Sequence, residues 1–377
     1  MPPKGENIIK LKHRLVFIGT YTDPILFGTG KILQGKGEGI YVYRLDTSSG
    51  SMNLCSIGQA GPNPSYLTFD PSHRFMYVVN ELKEFNGAST GAVSAFSVDL
   101  ANGTLRFLNR QPSHGTDPCY LTVDKTGRYV LVANFMSGSV CVLPIRKDGS
   151  IGSPTDVIQH RGSSVDPVRQ TGPHAHAVTL DDTGHYAFVP DLGLDKLMIY
   201  RFDPHRGILE PNDDPWIDVP AGSGPRQLIF HSSGAYAYLI NELNSTVMAF
   251  RYDNQRGRLR KIQTISTLPD DFKGANTCAE LQISPSGKFL YGSNRGHDSI
   301  VTYAINQIDG TLSYVGHKGT GGKSPRHFIV DPDGAFLLVA NQDTDSVITF
   351  RLDSTSGELS ATRHNTHVPT PVCVKIL

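Results

Sequence analysis

Apolar residues in this chain come in short alternating runs, each closed by a polar turn, and the runs recur in a fixed order. A Pro opens one run, and an Asp-Pro-Ser-Gly-like turn follows. A second apolar run ends in Asn. A third is often led by Ser-Val or Ser-Ile and leads to a turn ending in Gly-x-Leu. The copies are PSYLTFDPSHRFMYVVNE (64–81), PCYLTVDKTGRYVLVANF (118–135), HAVTLDDTGHYAFVPDL (176–192), PRQLIFHSSGAYAYLINE (225–242), CAELQISPSGKFLYGSNR (278–295) and PRHFIVDPDGAFLLVANQ (325–342). Alternation with a period of two, broken by Gly, Pro, Asn and Asp, predicts half-buried strands. The anchors Asn80, Asn134, Asp191, Asn241, Asn294 and Asn341 recur about every 50 residues, the period of a four-stranded propeller blade.

Six copies are complete, and a seventh is split between the ends of the chain. LVFIGTYT (15–22) matches a second strand and GIYVYRLD (39–46) a third. The missing first strand matches PVCVKIL (371–377). The sequence therefore predicts an all-β, seven-bladed propeller of four antiparallel strands per blade. Residues 1–377 form one domain, and blade 1 (13–60) is completed by 370–377. Such closure leaves no sheet edge between the first and last blades.

Composition narrows the function. Lys plus Arg equal Asp plus Glu at 35 each, so the net charge is zero, and nothing suggests the basic surface that nucleic acid requires. No apolar run approaches the ~20 residues that span a bilayer. Met1 to Arg14 is polar and lacks the apolar stretch of a secretion signal. The cysteines Cys55, Cys119, Cys141, Cys278 and Cys373 are scattered and form no CxxC pair. Together these features suggest reduced thiols in a cytoplasmic protein.

The antiparallel order puts the start of each first strand and the end of each second strand at one mouth of the central channel. Two rings of residues follow. The first holds Val372, Ser65, Cys119, His176, Arg226, Ala279 and Arg326. The second holds Tyr21, Glu81, Phe135, Leu192, Glu242, Arg295 and Gln342. These positions differ from blade to blade while the flanking strands do not, the pattern of a site grafted on a repeating scaffold. The polar members His176, Arg226, Glu242, Arg295 and Arg326 fall on blades 4 to 7, with Glu280 one residue beyond the ring. The long loops 23–38, 83–92 and 156–172 overhang the same mouth and bring Lys31, Lys36, Arg161 and Arg169. Three ring arginines in a neutral protein predict a small anionic ligand, because guanidinium matches carboxylate or phosphate with a fork of donors.

Each candidate also has a plainer reading. His174 and His176 share one side of a strand. They suit acid/base work, half a zinc site with Glu242 as third ligand, or a structural hydrogen bond. Glu242 pairs with Arg226 or Arg295 whether it is catalytic or not. Arg226, Arg295 and Arg326 could be ties between blades, and Glu81 is read as structural. No phosphate loop, nucleophile elbow or calcium loop is present, and no cofactor or metal is expected.

The chain resembles the lactonase-type seven-bladed propeller family, which includes bacterial 6-phosphogluconolactonase and fungal carboxy-cis,cis-muconate cyclase. The matching motifs are IGTYT (18–22), VANFMSGSV (132–140), the His-bearing strand of blade 4, GPRQLIFHSSGAYAYLINELNSTV (224–247), SNRGHDSI (293–300) and SPRHFIVDPDG (324–334). The resemblance implies a site of one His, two Arg and one Glu, falling on His176, Arg226, Glu242 and Arg295. His174, Arg326 and Glu280 would support substrate binding. Gln227 departs from the His common after Gly-Pro-Arg, and the paired His174 leaves open which histidine acts. The expected activity is hydrolysis of 6-phosphogluconolactone or a similar anionic lactone. Lactonisation of a carboxymuconate is the alternative, and a non-enzymatic binding platform is the second.

Overall fold

The computed structural model describes residues 12–377; most of the polar stretch Met1–Arg14 lies outside them. Seven four-stranded antiparallel sheets stand around a channel, as the repeat predicts. Blades 2, 3, 5, 6 and 7 open with strands Pro64–Phe69, Pro118–Val123, Pro225–Phe230, Thr277–Ile283 and Pro325–Val330. Blade 1 joins Pro371–Ile376 to His13–Thr20, Ile40–Asp46 and Met52–Gly58, with Ile18 opposite Val374. Among the described residues helix is confined to one short 3₁₀ turn, Gln342–Thr344. No described helix is long and apolar enough to cross a membrane.

The alternating residues of each blade pack on its neighbours. Val16, Ile18 and Val374 of blade 1 lie in one cluster with Phe336, Leu338 and Val347 of blade 7. Ile18 and Phe336 are fully buried. The anchor side chains explain their own recurrence. Asn80 Nδ2 donates to the carbonyls of Ala60 and Pro62, Asn134 to Ser113, Asn294 to Thr267 and Asn341 to Thr320. Each ties the end of a second strand to the chain arriving from the previous blade. Asp191 breaks the pattern because its neighbours are donors: the His174 amide and the His160 ring.

A second stitch lies in the turns after these anchors, where Asp195, Ser245, Asp298 and Asp345 adopt positive φ near 50°. A short polar side chain tolerates that left-handed conformation. Asp195 accepts hydrogen bonds from the Gly222 and Gly224 amides, both at 2.7 Å, and from Ser164 Oγ at 2.6 Å. It thus holds the segment leading to Arg226 and the loop carrying Arg169. Asp195→Ala would strand buried amides, and urea denaturation is expected to show a loss of about 2–3 kcal/mol.

Two expectations about loops need correction. Residues 156–159 are the fourth strand of blade 3, Asp156–Gln159, so that overhanging loop begins only at His160. The loop 23–38 contains a small hairpin pairing Ile25–Leu26 with Ile32–Leu33. The first strand of blade 4 is also shorter than its repeat suggests, with regular pairing only at Thr179–Leu180.

Candidate functional site

Pairing slips at the start of every first strand, and the slip aims the ring side chains. In blade 5, Pro225 faces Asn241 and Gln227 faces Ile240, leaving Arg226 as the extra residue of a β-bulge. Ser65, Cys119, Arg326 and Val372 are the extra residues of their blades, and Ala279 lies in the same slip of blade 6. In blade 4 the slip spans residues 176–178, between the Ala175–Asp191 bridge and Thr179. A bulged residue leaves the face alternation of its strand and can be turned aside. Here the available direction is the free inner edge of the blade, which is the channel.

The mouth is an open cavity of about 320 Å³, in the size class of small-molecule sites. His176, Glu242, Arg295 and Arg326 line it as the rings predict. Arg169, from the loop after blade 3, and Lys31 and Phe27, from the small hairpin, line it too. So do Glu81 and Asp117, which carry the site onto blades 2 and 3 and beyond the blades expected.

One wall is an arginine cluster around Glu242, which is 3 % exposed. Arg169 Nη2 lies 2.7 Å from Glu242 Oε1. Arg226 Nε and Arg295 Nη2 lie 3.0 and 2.9 Å from Oε2. Burial alone would raise this carboxyl, but Arg295, Arg169 and Arg226 outweigh it and hold it well below the ordinary carboxylate range. His176 Nε2 approaches the same oxygen at 3.7 Å. Burial, aided by Arg226, drives the His176 ring well below its usual value, so the imidazole is neutral at pH 7. Burial lowers Arg295 to about 10, still a cation at neutral pH. The Nε–H groups of Arg169 and Arg295 have no partner among the described residues.

The rest of the lining mixes charges. Arg326 stacks on Tyr21 and Phe27, 5.4 and 5.2 Å from their ring centres. Tyr21 Oη donates to Glu81 Oε2 at 2.9 Å. Burial raises Glu81, opposed by Arg326 and its hydrogen bonds. The plain structural reading of Glu81 is therefore incomplete, because it also lines the cavity.

Other expected site residues sit elsewhere. Arg226 lies deeper, in a narrow space of about 20 Å³ beneath the mouth, where its Nη1 donates to the Ala279 carbonyl. Glu280 shares that lower layer and accepts from Gln227 and Gln282 at 2.9 and 2.6 Å. His174 does not line the mouth. Its ring stacks on Phe135 at 4.6 Å, and Nδ1 lies 2.9 Å from the Phe135 carbonyl oxygen. The two histidines do not point alike, because the bulge interrupts strand alternation between them. Lys36 is drawn to Asp345 at 2.6 Å. Glu242 is committed to guanidinium groups, so it does not complete a zinc site with the histidines. Among the described residues no three His, Cys, Asp or Glu side chains gather as a metal set.

Comparison with known proteins gives one answer. The family described as "Lactonase, 7-bladed beta-propeller" matches residues 15–376. A 6-phosphogluconolactonase of Bacillus subtilis is 34 % identical over 361 residues, covering 96 % of this chain and 97 % of its own. A 6-phosphogluconolactonase of Formosa agariphila is 33 % identical over 84 % of this chain and 86 % of its own. The solved structure of a periplasmic gluconolactonase of Pseudomonas aeruginosa superposes with a TM-score of 0.89 at 36 % identity, covering 97 % of this chain and 99 % of that one.

Proposed function

This chain belongs to the seven-bladed β-propeller lactonase family, and from that premise we propose that it hydrolyses an anionic sugar lactone, 6-phosphogluconolactone or a close relative, at this channel mouth. The observation that carries the reading is the lining itself: one neutral histidine among Lys31, Arg169, Arg295 and Arg326 in a cavity of about 320 Å³.

Hydrolysis needs a donor for the oxyanion that forms when water adds to the lactone carbonyl. Arg295 and Arg169, cations that line the cavity and are held in place by Glu242, suit that role. It also needs a base for the attacking water. Glu242 suits this poorly, since both its oxygens already face guanidinium groups and it holds its charge tightly. His176 is neutral and faces the cavity, so His176 is the base and Glu242 the group that positions the arginines. Sugar lactones need only modest acid/base help once held in place. Lys31 and Arg326 line the cavity without a direct ion pair to Glu242 and suit the phosphate.

The test is hydrolysis of 6-phosphogluconolactone and unphosphorylated gluconolactone, measured above the spontaneous rate. The phosphorylated substrate should have the higher kcat/KM, and Lys31→Ala should raise its KM about tenfold while sparing the other. Failure to turn over any lactone sinks the reading, and turnover of a carboxymuconate instead would make the chain a cyclase. Cytoplasmic residence is a separate proposal resting on the five free cysteines; fractionation of the host cell tests it.

A further inference from the structure

We propose that Asp117 is the general acid of this site, the group that protonates the ring oxygen as the lactone opens. The proposal rests on the lactonase reading and adds a separate proton donor to it, since Glu242 is held as an anion and His176 is neutral until it takes the proton of the attacking water.

Asp117 immediately precedes Pro118, at the start of the first strand of blade 3. The same position is Asn63 in blade 2, Ser324 in blade 7 and Thr370 in blade 1, all with positive φ. Those side chains or their neighbours bind the scaffold; Asn63 Oδ1, for example, accepts the amides of Thr22 and Asp23. Asp117 holds the same left-handed backbone, φ 51°, yet its Oδ2 is buried with no hydrogen-bond partner among the described residues. The side chain lines the cavity and is only 4 % exposed. A buried carboxyl oxygen with no protein partner costs free energy unless it carries a proton or meets a ligand. Its backbone is well held, the amide donating to Leu82 and the carbonyl accepting from Phe135. His176 lines the same cavity, and Cys119, two residues after Asp117, has its Sγ 3.7 Å from His176 Nδ1.

The charges around Asp117 fit the role. Glu81 and Lys83 approach from blade 2, and Cys119 from its own strand. Arg169, Arg326 and His176 line the same cavity. Burial raises the Asp117 carboxyl most, Glu81 raises it further, and Lys83 opposes, leaving it at about 7. It is therefore substantially protonated at neutral pH.

The step balances. Water oxygen bonds to the carbonyl carbon while His176 takes a water proton, and the carbonyl electron pair moves to the oxygen facing Arg295. When the carbonyl re-forms, the bond to the ring oxygen breaks. That oxygen takes the Asp117 proton and becomes the product hydroxyl. His176 then loses its proton and Asp117 regains one through solvent, which restores the starting state.

The signs predict a bell. His176 must be neutral, so kcat/KM falls as pH drops through its low value. Asp117 must be protonated, so kcat/KM falls as pH rises through about 7. Asp117→Asn suits the left-handed backbone and should fold, which circular dichroism and thermal melting check. It should lose about 100-fold in kcat/KM on an aliphatic sugar lactone and lose the alkaline limb. The loss should shrink to a few-fold on an aryl lactone, whose phenolate leaves without an acid. A residue that only shapes the site would impair both substrates equally. Infrared titration of the folded protein, which needs no turnover, should show a carboxyl band near pH 7 that is missing in Asp117→Asn. If the wild type hydrolyses lactones and Asp117→Asn keeps its alkaline limb, Asp117 is not the acid. If the wild type hydrolyses none, the lactonase reading is what fails.

Discussion

Glu242→Gln is expected to destabilise the protein by about 3–5 kcal/mol and to lower kcat/KM about 100-fold, because it leaves three guanidinium groups around a neutral amide. The substitution keeps shape and removes charge. Arg169, Arg226 and Arg295 lie within 3.0 Å of the carboxylate they would lose, and they repel one another once it is gone. An error of about 1 Å in their placement is enough for the rate loss. The pH profile separates this role from direct catalysis. Glu242 raises His176 against burial and Arg226, so removing its charge should push His176 lower. The acid limb of kcat/KM should then move to lower pH while keeping its shape. If Glu242 were itself the base, that limb would vanish. Stability by urea denaturation and kcat/KM against pH are the two measurements. An unchanged protein by both would remove the cluster from the site.

Much of this arrangement is legible in the chain because a propeller repeats. Once Asn80, Asn134, Asp191, Asn241, Asn294 and Asn341 are aligned, the ring positions follow by counting, and His176, Glu242, Arg295 and Arg326 do meet at one cavity. Counting fails where the backbone departs from the repeat. The bulge at residues 176–178 separates His174 from His176, although strict alternation would put them together. Arg226 and Arg295 look equivalent on paper. One sits on a bulged first strand and reaches down to the Ala279 carbonyl; the other ends a second strand and reaches Cys278. Arg169 arrives on a loop, and no repeat dictates where a loop folds back. Asp117 was hidden for another reason. Residues before the prolines look like turn formers, and nothing in one sequence tells which of them leaves its side chain without a partner. The comparison of Asn63 with Asp117 shows the kind of signal that was available: an acid stands where the other blades use Asn, His, Gly, Thr or Ser.

Arg295→Ala should lower kcat about 10²–10³-fold, the loss typical of removing one oxyanion donor, with a small change in KM for an uncharged lactone. Arg295 lines the mouth and bonds Cys278 O at 2.7 Å and Glu242 at 2.9 Å through Nη2. Those two bonds fix the guanidinium plane before substrate arrives, which is what makes a donor effective at a developing charge. Arg295→Lys retains the cation but not the fork, so it should recover only part of the rate. Arg226→Ala provides the contrast. Arg226 lies in the layer below and would act by holding Glu242, so its loss should shift the pH dependence of the site and stability more than kcat. Measuring kcat, KM and urea stability for the three variants separates donor from tie. If Arg295→Ala loses stability but keeps its kcat, Arg295 only joins the blade to its neighbour, and the oxyanion must be held by Arg169 instead.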